Sequence, residues 1–202
     1  MAEAQPKSQQ KARSGEARKT LSREAWIDAA IYALERKGIA NVKIDHLSRQ
    51  LKVTRGSFYF HFKNLKDLLN SLLIEWRQRN CAPFRALAVE TVTDGQAYFD
   101  AVTGVWIRED PFSPKLDLAI RDWARSSAAV ARELRDQDDF RMELLVKAFA
   151  ALGYDRDESL IRARVTYFQQ IGYYTTHFKE PPTERKRFRT LYTKILIGPA
   201  YR

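Results

Sequence analysis

The strongest constraint in this sequence is helical periodicity, which runs along almost the whole chain after residue 22. In the first periodic segment Ile27, Ile31 and Leu34 recur every three or four residues, and no segment shows the alternation of a strand. Ser22 is of a type that caps helix N-termini, and Gly38 of a type that ends helices. The sequence therefore predicts an all-α protein. Helices are predicted at 23–37, across Ile44, Leu47 and Leu51, across Val53 and Phe58, from residue 65 until Pro83 ends or redirects the helix, and at 84–92, 95–107, 115–127, 128–152, 156–179 and 183–197.

The composition indicates a folded protein of a reducing compartment. Hydrophobic residues make up 45% of the 202 positions, enough for a packed core in one larger domain or two small ones. The single cysteine, Cys81, excludes an internal disulfide framework and a multi-cysteine metal site. No run approaches the roughly eighteen apolar residues of a membrane span, and the N-terminal segment lacks the apolar stretch of a signal peptide. We therefore expect a soluble, cytoplasmic protein with no membrane partner.

The positive charge is concentrated in the first two-fifths of the chain. The formal net charge is +10, and residues 1–80 carry 16 Lys and Arg against 8 Asp and Glu. This surplus favours a polyanionic partner, although a solubilising tail and an ordinary solvated surface would produce it too. Residues 1–20 lack apolar periodicity and are interpreted as a flexible basic arm, which would either enter a minor groove or make no contact.

Two short helices follow the first helix closely. Helices of this kind, joined by about four residues, form the helix-turn-helix geometry in which the second helix enters the major groove of DNA. Apolar spacing alone, however, is more often that of an ordinary helical hairpin. Neither the charge nor the helix spacing decides between a DNA-binding helix-turn-helix and an ordinary helical hairpin. The residues of the second short helix are needed to decide it.

The segment 53–64 carries the chemistry that a DNA contact needs. Thr54 can cap the third helix, and Gly56 leaves its outer surface open to close approach. Tyr59 and His61 offer a hydroxyl and a ring nitrogen to phosphate oxygens. In the alternative interpretation, the three phenylalanines of this segment are core residues and His61 is an ordinary surface histidine.

A longer pattern spans residues 23–76. It combines the Gly38 stop, Ile44 and Leu47-Ser48 of the second helix, and above all the run Tyr59-Phe60-His61-Phe62 followed by Asn64, Leu68 and Leu69. With this pattern the chain closely resembles the tetracycline-repressor-like (TetR) family of bacterial transcriptional regulators. The resemblance implies a three-helix DNA-binding domain, a helical C-terminal domain that dimerises and holds an effector pocket, and usually repression that a ligand relieves. The predicted domains are a basic arm at 1–20, the DNA-binding domain at 21–64, and the effector and dimerisation domain at 65–202, with 65–80 as the connecting helix.

Three positions depart from the family pattern. Lys52 stands where the turn glycine is usual, so a left-handed backbone there would cost about 1 kcal/mol. Phe60 replaces the usual Tyr or Trp and cannot donate a hydrogen bond. Leu65 stands where a lysine is usual at the start of the fourth helix, and Lys66 follows one place later. One residue along a helix turns a side chain by about 100°, so Lys66 points away from the position of the family's phosphate contact.

The resemblance assigns the DNA contacts to the short helices. Arg55 is the first candidate for reading a base edge, because its guanidinium fork can pair with guanine, and Thr54 and Ser57 are secondary readers. A helix N-terminus and the nearby cations would neutralise phosphates, so affinity would fall steeply with salt. A symmetric dimer would read a palindromic or nearly palindromic operator. The predicted DNA contacts are Lys43, Lys52, Thr54, Arg55, Gly56, Ser57, Tyr59, Phe60, His61, Lys63 and Lys66.

The segment 156–179 has two apolar faces. Leu160, Tyr167, Ile171, Tyr174 and Phe178 lie on one, and a second set lies on the other. One face would serve the chain's own core and the other a partner, unless both faces are buried within one subunit. By resemblance, the last two helices pair with those of a second copy in a four-helix bundle. The predicted dimer interface consists of Ile161, Val165, Phe168, Gly172, Leu191 and Ile195.

An effector pocket is harder to locate, because aromatic stripes at helical spacing are more often plain core. Two such stripes and one further aromatic residue would line an apolar cavity, with a charged side chain as polar anchor. The predicted lining is Phe99, Val102, Trp106, Ile120, Trp123, Ser127 and Tyr167, and the anchors are Arg121 or Asp122. The identity of an effector does not follow from the sequence.

Other classes of function stay open at this stage. Against an enzyme, His46, His61 and His177 are far apart and stand in no metalloprotease, hydrolase or phosphate-loop motif, and Cys81 has no obvious base near it. A helical dimerisation module that merely grips anions is the second rival. A regulator without a small-molecule effector and an activator both fit the sequence as well as a ligand-responsive repressor does. No metal and no cofactor is expected.

Overall fold

The computed structural model describes residues 21–176 and 180–201, and every regular element in them is helical, which confirms the all-α prediction. The predicted basic arm at 1–20 and the end of the predicted helix 156–179 lie outside the described residues. The helices are α1 (Arg23–Lys37), α2 (Ile44–Leu51), α3 (Arg55–Tyr59), α4 (Leu65–Trp76), α5 (Ala82–Ala88), α6 (Gly95–Arg108), α7 (Pro114–Ala124), α8 (Ala128–Ala151), α9 (Arg156–Thr175) and α10 (Pro182–Ile197).

The first helix begins and ends where its capping residues predict. Ser22 Oγ accepts a hydrogen bond from the N–H of Ala25 at 3.3 Å, and Gly38, with φ 74°, donates its N–H to the Leu34 carbonyl at 2.9 Å. A helix terminus leaves backbone groups without partners, and these two residues satisfy one at each end. The cap signals thus set the bounds of α1 from the sequence alone.

Three later helices end earlier than predicted. Helix α5 ends at Ala88, short of residue 92, and α7 ends at Ala124. Ser127, placed at the end of a predicted helix 115–127, caps α8 instead, because its hydroxyl accepts the N–H of Val130 at 3.5 Å. Helix α9 ends at Thr175. Each difference lies at a helix terminus, where periodicity carries little information.

Pro83 does not stop the chain from remaining helical. After Trp76 a π-helical turn, Arg77–Cys81, leads directly into α5, where Pro83 occupies one of the first positions. A proline at a helix start costs no hydrogen bond, since the first N–H groups of a helix have no intrahelical partner. Helix α4 thus ends at Trp76, before Pro83, and Pro83 lies in the first turn of α5.

The core is in two parts. The first lies among the four helices α1, α2, α3 and α4, helix α7 and the start of α8. Its buried side chains include Trp26, Phe58, Trp76, Ile120 and Trp123. The second lies among α5, α6, α8, α9 and the end of α10, and its buried side chains include Phe84, Phe99, Trp106, Phe149 and Tyr167. Helix α7 thus contributes its apolar side to the N-terminal helices.

None of the helices in the described ranges combines the length and the apolar character that a membrane crossing needs.

The turn between α2 and α3 contains a strained residue. Lys52 ends α2 with φ 56° and ψ 42°, in the left-handed region that side chains with a Cβ rarely adopt. The turn is closed by two backbone hydrogen bonds, from the Lys52 N–H to the Arg49 carbonyl at 3.2 Å and from the Val53 N–H to the Ser48 carbonyl at 3.0 Å. The left-handed conformation anticipated for Lys52 is therefore present.

A buried ion pair ties α4 to the helices behind it. Asp117 of α7 and Arg141 of α8 are 2% and 1% exposed. Arg141 Nη2 donates to Asp117 Oδ1 at 3.1 Å and to the Asn80 carbonyl of the π-helical turn at 2.9 Å. Trp76 Nε1 donates to the same Asp117 oxygen at 3.0 Å. The Asp117–Arg141 pair thus connects α4 and the π-helical turn after it to α7 and α8.

Asp117 stays ionised in this surrounding. Burial by itself raises its pKa, but the charges of Arg141 and Arg121 and the hydrogen bonds from Arg141 and Trp76 outweigh burial and hold the pKa below its usual value. Because the folded pKa is the lower one, the ionised carboxylate stabilises the fold above the unfolded pKa of about 3.9. That contribution disappears as the pH falls through the folded pKa.

Replacing Lys52 by glycine is expected to stabilise the protein. The Lys52→Gly variant should gain about 0.5–1 kcal/mol in the free energy of unfolding, because glycine adopts the left-handed conformation without a Cβ penalty. Urea unfolding followed by circular dichroism measures this. The matched control is Lys186→Gly, the same change at an exposed position in the second turn of α10, which should lower stability. A loss of stability in both variants would contradict the prediction.

Neutralising the buried carboxylate is expected to destabilise the fold strongly. Asp117→Asn should lower the free energy of unfolding at pH 7 by about 3–5 kcal/mol, because the Arg141 charge would stay buried without its counter-charge. Part of the stability that the native protein loses between about pH 5 and pH 2 should be missing in the variant. Urea unfolding at several pH values tests both points, with Asp122→Asn, an exposed residue of the same helix, as control. Equal effects of the two variants would rule out the stabilising role of the buried pair.

Candidate nucleic-acid interface

Helix α3 is held in place by one buried side chain, Phe58. The Phe58 ring meets Trp26 of α1 edge-on, with 5.2 Å between ring centroids, and stacks on Phe62 at 5.2 Å. A helix of five residues is not stable by itself, so this aromatic contact fixes its position. The opposite side of α3 consequently faces solvent.

Two adjacent aromatic side chains lie on that outer side. Tyr59 is exposed, and Phe60 is 86% exposed. The alternative in which all three phenylalanines are core residues is wrong for Phe60, while Phe58 and Phe62 are buried as it expected. Two neighbouring aromatic side chains in water form an apolar contact area beside a polar one, which is typical of a surface that meets a partner.

The first turn of α3 is open to close approach. The nearest described atom to a Cβ built at Gly56 is Thr54 Oγ1, at 3.6 Å. Thr54 stands at the N-cap position, but its side chain accepts no cap hydrogen bond from the described backbone, so its predicted capping role is wrong. The Thr54 hydroxyl is exposed, and Ser57 beside Gly56 is half-buried. The backbone of α3 can therefore come close to a flat surface here.

Arg55 forms an ion pair that the sequence did not predict. Its guanidinium contacts the carboxylate of Asp45, in the first turn of α2, and both side chains are largely exposed. The pair connects the first turn of α3 to the first turn of α2. An exposed ion pair contributes only about 0–1 kcal/mol, so the guanidinium can exchange this carboxylate for another acceptor at small cost. Asp45 and Arg55 are ten positions apart on different helices, and no local spacing rule connects them.

The predicted cations lie in the chain segments before and after α3. Lys43 precedes α2, Lys52 lies in the turn, and Lys63 precedes α4, and all three are exposed. Arg49, exposed on α2, belongs with them although the sequence analysis did not select it; its Nε donates to the Asp45 carbonyl at 3.2 Å. The segments before and after α3 in the chain therefore carry several exposed cations, and Asp45 is the acidic residue of α2.

The start of α4 is capped by a reciprocal pair. Asn64 accepts a hydrogen bond from the Asp67 N–H at 3.0 Å, and the Asp67 carboxylate accepts the Lys63 N–H at 3.0 Å. Leu65, at the position of the family's lysine, is half-buried against the first core, whereas Lys66 is exposed. Lys66 is thus the cation that this helix start presents to the outside.

The second apolar face of α9 is exposed, as one of the two interpretations requires. Tyr167 and Ala163 point into the second core, but Ile161, Val165 and Phe168 lie on the surface, with Phe168 60% exposed. Leu191 and Ile195 of α10 are exposed as well, and the nearest described atoms to a Cβ at Gly172 are more than 4 Å away. Phe178, assigned to the inner face, lies outside the described residues. Burial of both faces within one subunit is therefore not found in the described part of the chain.

The residues of the predicted pocket are divided between the two cores. Phe99, Val102, Trp106 and Tyr167 are buried in the second core, whereas Ile120 and Trp123 pack in the first. Two of the remaining residues have structural roles: Ser127 caps α8, and Arg121 donates two 2.7 Å hydrogen bonds to Asp138 and one of 3.0 Å to the Tyr167 hydroxyl. Asp122 is exposed. Phe99, Val102 and Trp106 share the buried side of α6, but Ser127 lies outside α7, and Ile120 and Trp123 pack in the first core and not with α6.

Metal-ligating clusters and the Cys81 thiol bear on the rival interpretation as an enzyme. No group of three or more His, Cys, Asp or Glu side chains in residues 21–176 and 180–201 is placed to hold a metal ion. Burial raises the pKa of the Cys81 thiol to about 12, so at neutral pH it is protonated, and a thiol nucleophile needs the opposite shift. His177 lies outside the described residues.

Comparisons with known proteins agree with this geometry. Residues 27–72 match the family described as bacterial regulatory proteins, tetR family. Those residues contain most of α1, all of α2 and α3, and the first two turns of α4. The match therefore falls on the part of the chain that holds the exposed α3 surface.

The complete fold is similar to solved structures. A protein of Rhodococcus sp. assigned to the TetR family of transcriptional regulators is 14% identical and matches with a TM-score of 0.58 over 87% of this chain and 98% of that one. A transcriptional regulator of the TetR/AcrR family from Thermobifida fusca is 17% identical, with a TM-score of 0.56 over 89% of this chain and 98% of that one. At these identities the likeness concerns the fold.

Proposed function

We propose that this chain, a DNA-binding transcriptional regulator of the tetR family of bacterial regulatory proteins, is a homodimeric repressor that releases a palindromic operator when a small molecule binds. Members of this family are transcriptional regulators and not enzymes. We also propose that it acts in the cytoplasm. The observation that carries the proposal is the exposed outer side of α3, fixed from behind by Phe58, with exposed cations in the chain segments before and after it.

The chemistry of that surface supports binding to duplex DNA. Gly56 lets the backbone approach a groove wall, and Tyr59 offers a hydroxyl to a phosphate. Arg55 supplies a planar fork that can pair with the O6 and N7 acceptors of guanine. Its exposed ion pair with Asp45 is easily exchanged. Lys43, Lys52, Lys63 and Lys66 supply the sequence-independent attraction to phosphate.

The exposed apolar face of α9 and α10 supports the dimer. A soluble monomer rarely leaves a contiguous apolar strip of several large side chains in water, and this strip runs along two adjacent helices. The open space above Gly172 permits a close helix crossing. An isologous dimer through this face would present two copies of α3, and a symmetric pair of reading helices demands a symmetric site. The interface proposed is the predicted set of six residues on α9 and α10.

Arg55 is expected to carry base discrimination, and Tyr59 to carry affinity without discrimination. Arg55→Ala should weaken binding to the preferred operator by about 1–3 kcal/mol and relax the preference at one base position in each half-site. Tyr59→Phe should weaken binding to all sequences alike, because it removes a phosphate contact. Selection of binding sites from a random duplex library, followed by fluorescence anisotropy at fixed salt, measures both.

The control for this experiment is Arg156→Ala, which removes an exposed arginine at the start of α9, in the other half of the fold. It should leave both affinity and base preference unchanged. An unchanged base preference in Arg55→Ala would refute the assignment of that residue. Equal affinity of the native protein for selected and scrambled duplexes at physiological salt would favour the rival reading of a module that merely grips anions.

A charge placed in the α9 face is expected to disrupt the dimer. Phe168→Asp should raise the dimer dissociation constant by about thirtyfold or more, the effect of losing an interface hot spot of about 2 kcal/mol. Analytical ultracentrifugation over a concentration series measures it. The matched control is Val89→Asp, which places the same charge at a residue 87% exposed after α5, away from this face. A native protein that sediments as a monomer at micromolar concentration would remove the dimer from the proposal.

A further inference from the structure

A cavity of about 50 Å³ lies between α6, α9 and α10, apart from the pocket predicted from the sequence, with which it shares only Phe99 and Trp106. Four of its lining side chains are aromatic: Phe99 and Trp106 from α6, Tyr173 from α9 and Tyr192 from α10, and the first two are buried. The others are mostly polar, and they include Glu180, which accepts a hydrogen bond from the Tyr173 hydroxyl at 3.1 Å. Rings beside polar side chains favour a flat occupant that also carries hydrogen-bonding groups.

One buried polar group in this cavity has no partner. Gln170 of α9 lines the cavity and is 7% exposed, and its Nε2 has no hydrogen-bond partner among the described residues. A buried amide without a partner destabilises a fold, and native proteins retain few such groups. An acceptor oxygen on a bound molecule would satisfy it. The cavity therefore offers a donor that the fold itself does not use.

A cation lies beside the same cavity. Arg185, one of two arginines in its wall, is occupied: it contacts the carboxylate of Glu109 and lies over the Tyr173 ring, 4.4 Å from the centroid. Arg189, the other, forms a loose ion pair with Asp100, at 3.8 Å, which is beyond hydrogen-bond distance. Because this pair is loose and both side chains are partly exposed, the Arg189 fork can exchange Asp100 for another carboxylate, which it can bind through two parallel hydrogen bonds.

We propose that this cavity binds a small aromatic carboxylic acid, with its ring between the aromatic walls, its carboxylate on Arg189 and an oxygen acceptor on Gln170. The proposal rests on the ligand response proposed above and names the site and the chemical class of the ligand. It also places the ligand under the two helices whose outer faces form the proposed dimer interface. An aromatic acid is larger than a cavity of about 50 Å³, so its binding widens the space between α6 and α10. The ligand thereby acts on α10, whose outer face belongs to the proposed dimer interface.

The test measures ligand binding without DNA. The full-length protein is titrated by isothermal calorimetry with phenylacetate, cinnamate and indole-3-acetate, and with the primary amide of each acid. At least one acid should bind, and about tenfold or more tightly than its amide, the difference expected of one charge-assisted hydrogen-bonded pair. Arg189→Ala should remove that difference. Arg187→Ala, an exposed arginine of the same helix, is the matched control and should leave it unchanged.

Gln170→Leu separates a ligand-binding role from a structural one. If the amide serves a ligand, the variant should weaken acid binding by about tenfold while raising the melting temperature of the free protein, because an unpaired buried polar group is replaced by an apolar one. Failure of all three acids to bind at millimolar concentration, equal binding of acids and amides, or a lowered melting temperature in Gln170→Leu would each overturn the proposal.

Operator binding is measured in parallel, so that the two proposals fail separately. A protein that binds a selected duplex but none of the acids retains the proposed DNA reading and refutes the cavity assignment. A protein that binds an acid through Arg189 and Gln170 but no duplex supports the cavity assignment and refutes the proposed operator. Release of the duplex by the same acid, lost in both variants and retained in Arg187→Ala, supports both.

Discussion

The burial of Phe58 between Trp26 and Phe62 is the contact on which the exposed surface of α3 depends. Helix α3 has only five residues, and intrinsic helix propensity cannot stabilise so short a segment. The aromatic contact with α1 positions the helix, and the left-handed Lys52 sets the angle at which the chain enters it. The position of the exposed α3 surface therefore depends on the side chains buried behind it.

A second buried contact connects this N-terminal part to the rest of the chain. The Asp117 carboxylate accepts from Trp76 and pairs with Arg141, and Arg141 also donates to the Asn80 carbonyl, so α4 and the π-helical turn after it are fixed to α7 and α8. An ion pair this deep is stabilising only while both partners are present. Any shift of α4 against α7 must keep or exchange these hydrogen bonds, which makes small displacements without repacking costly.

Helices α9 and α10 serve two sides of the molecule at once. Their outer sides carry the exposed apolar strip that we propose as the dimer interface, and their inner sides line the cavity with the unpaired Gln170. Both features concern side chains that the fold alone leaves incompletely satisfied. The apolar strip lacks a cover and the amide lacks an acceptor, and a second copy of the chain and a small acid are the partners whose chemistry matches.

The sequence by itself determined the helical class, the bounds of α1, the short helix that we propose to read DNA and the apolar face of α9, because each follows from local spacing or from a run of adjacent residues. Only the tertiary structure decided that Phe60 is exposed, that Asp45 holds Arg55, and that Ile120 and Trp123 pack in the first core and not with α6. It also brought Gln170 and Arg189 to one cavity. Periodicity specifies which residues share a helix face but not the helix that this face meets, since that depends on contacts between residues far apart in the chain.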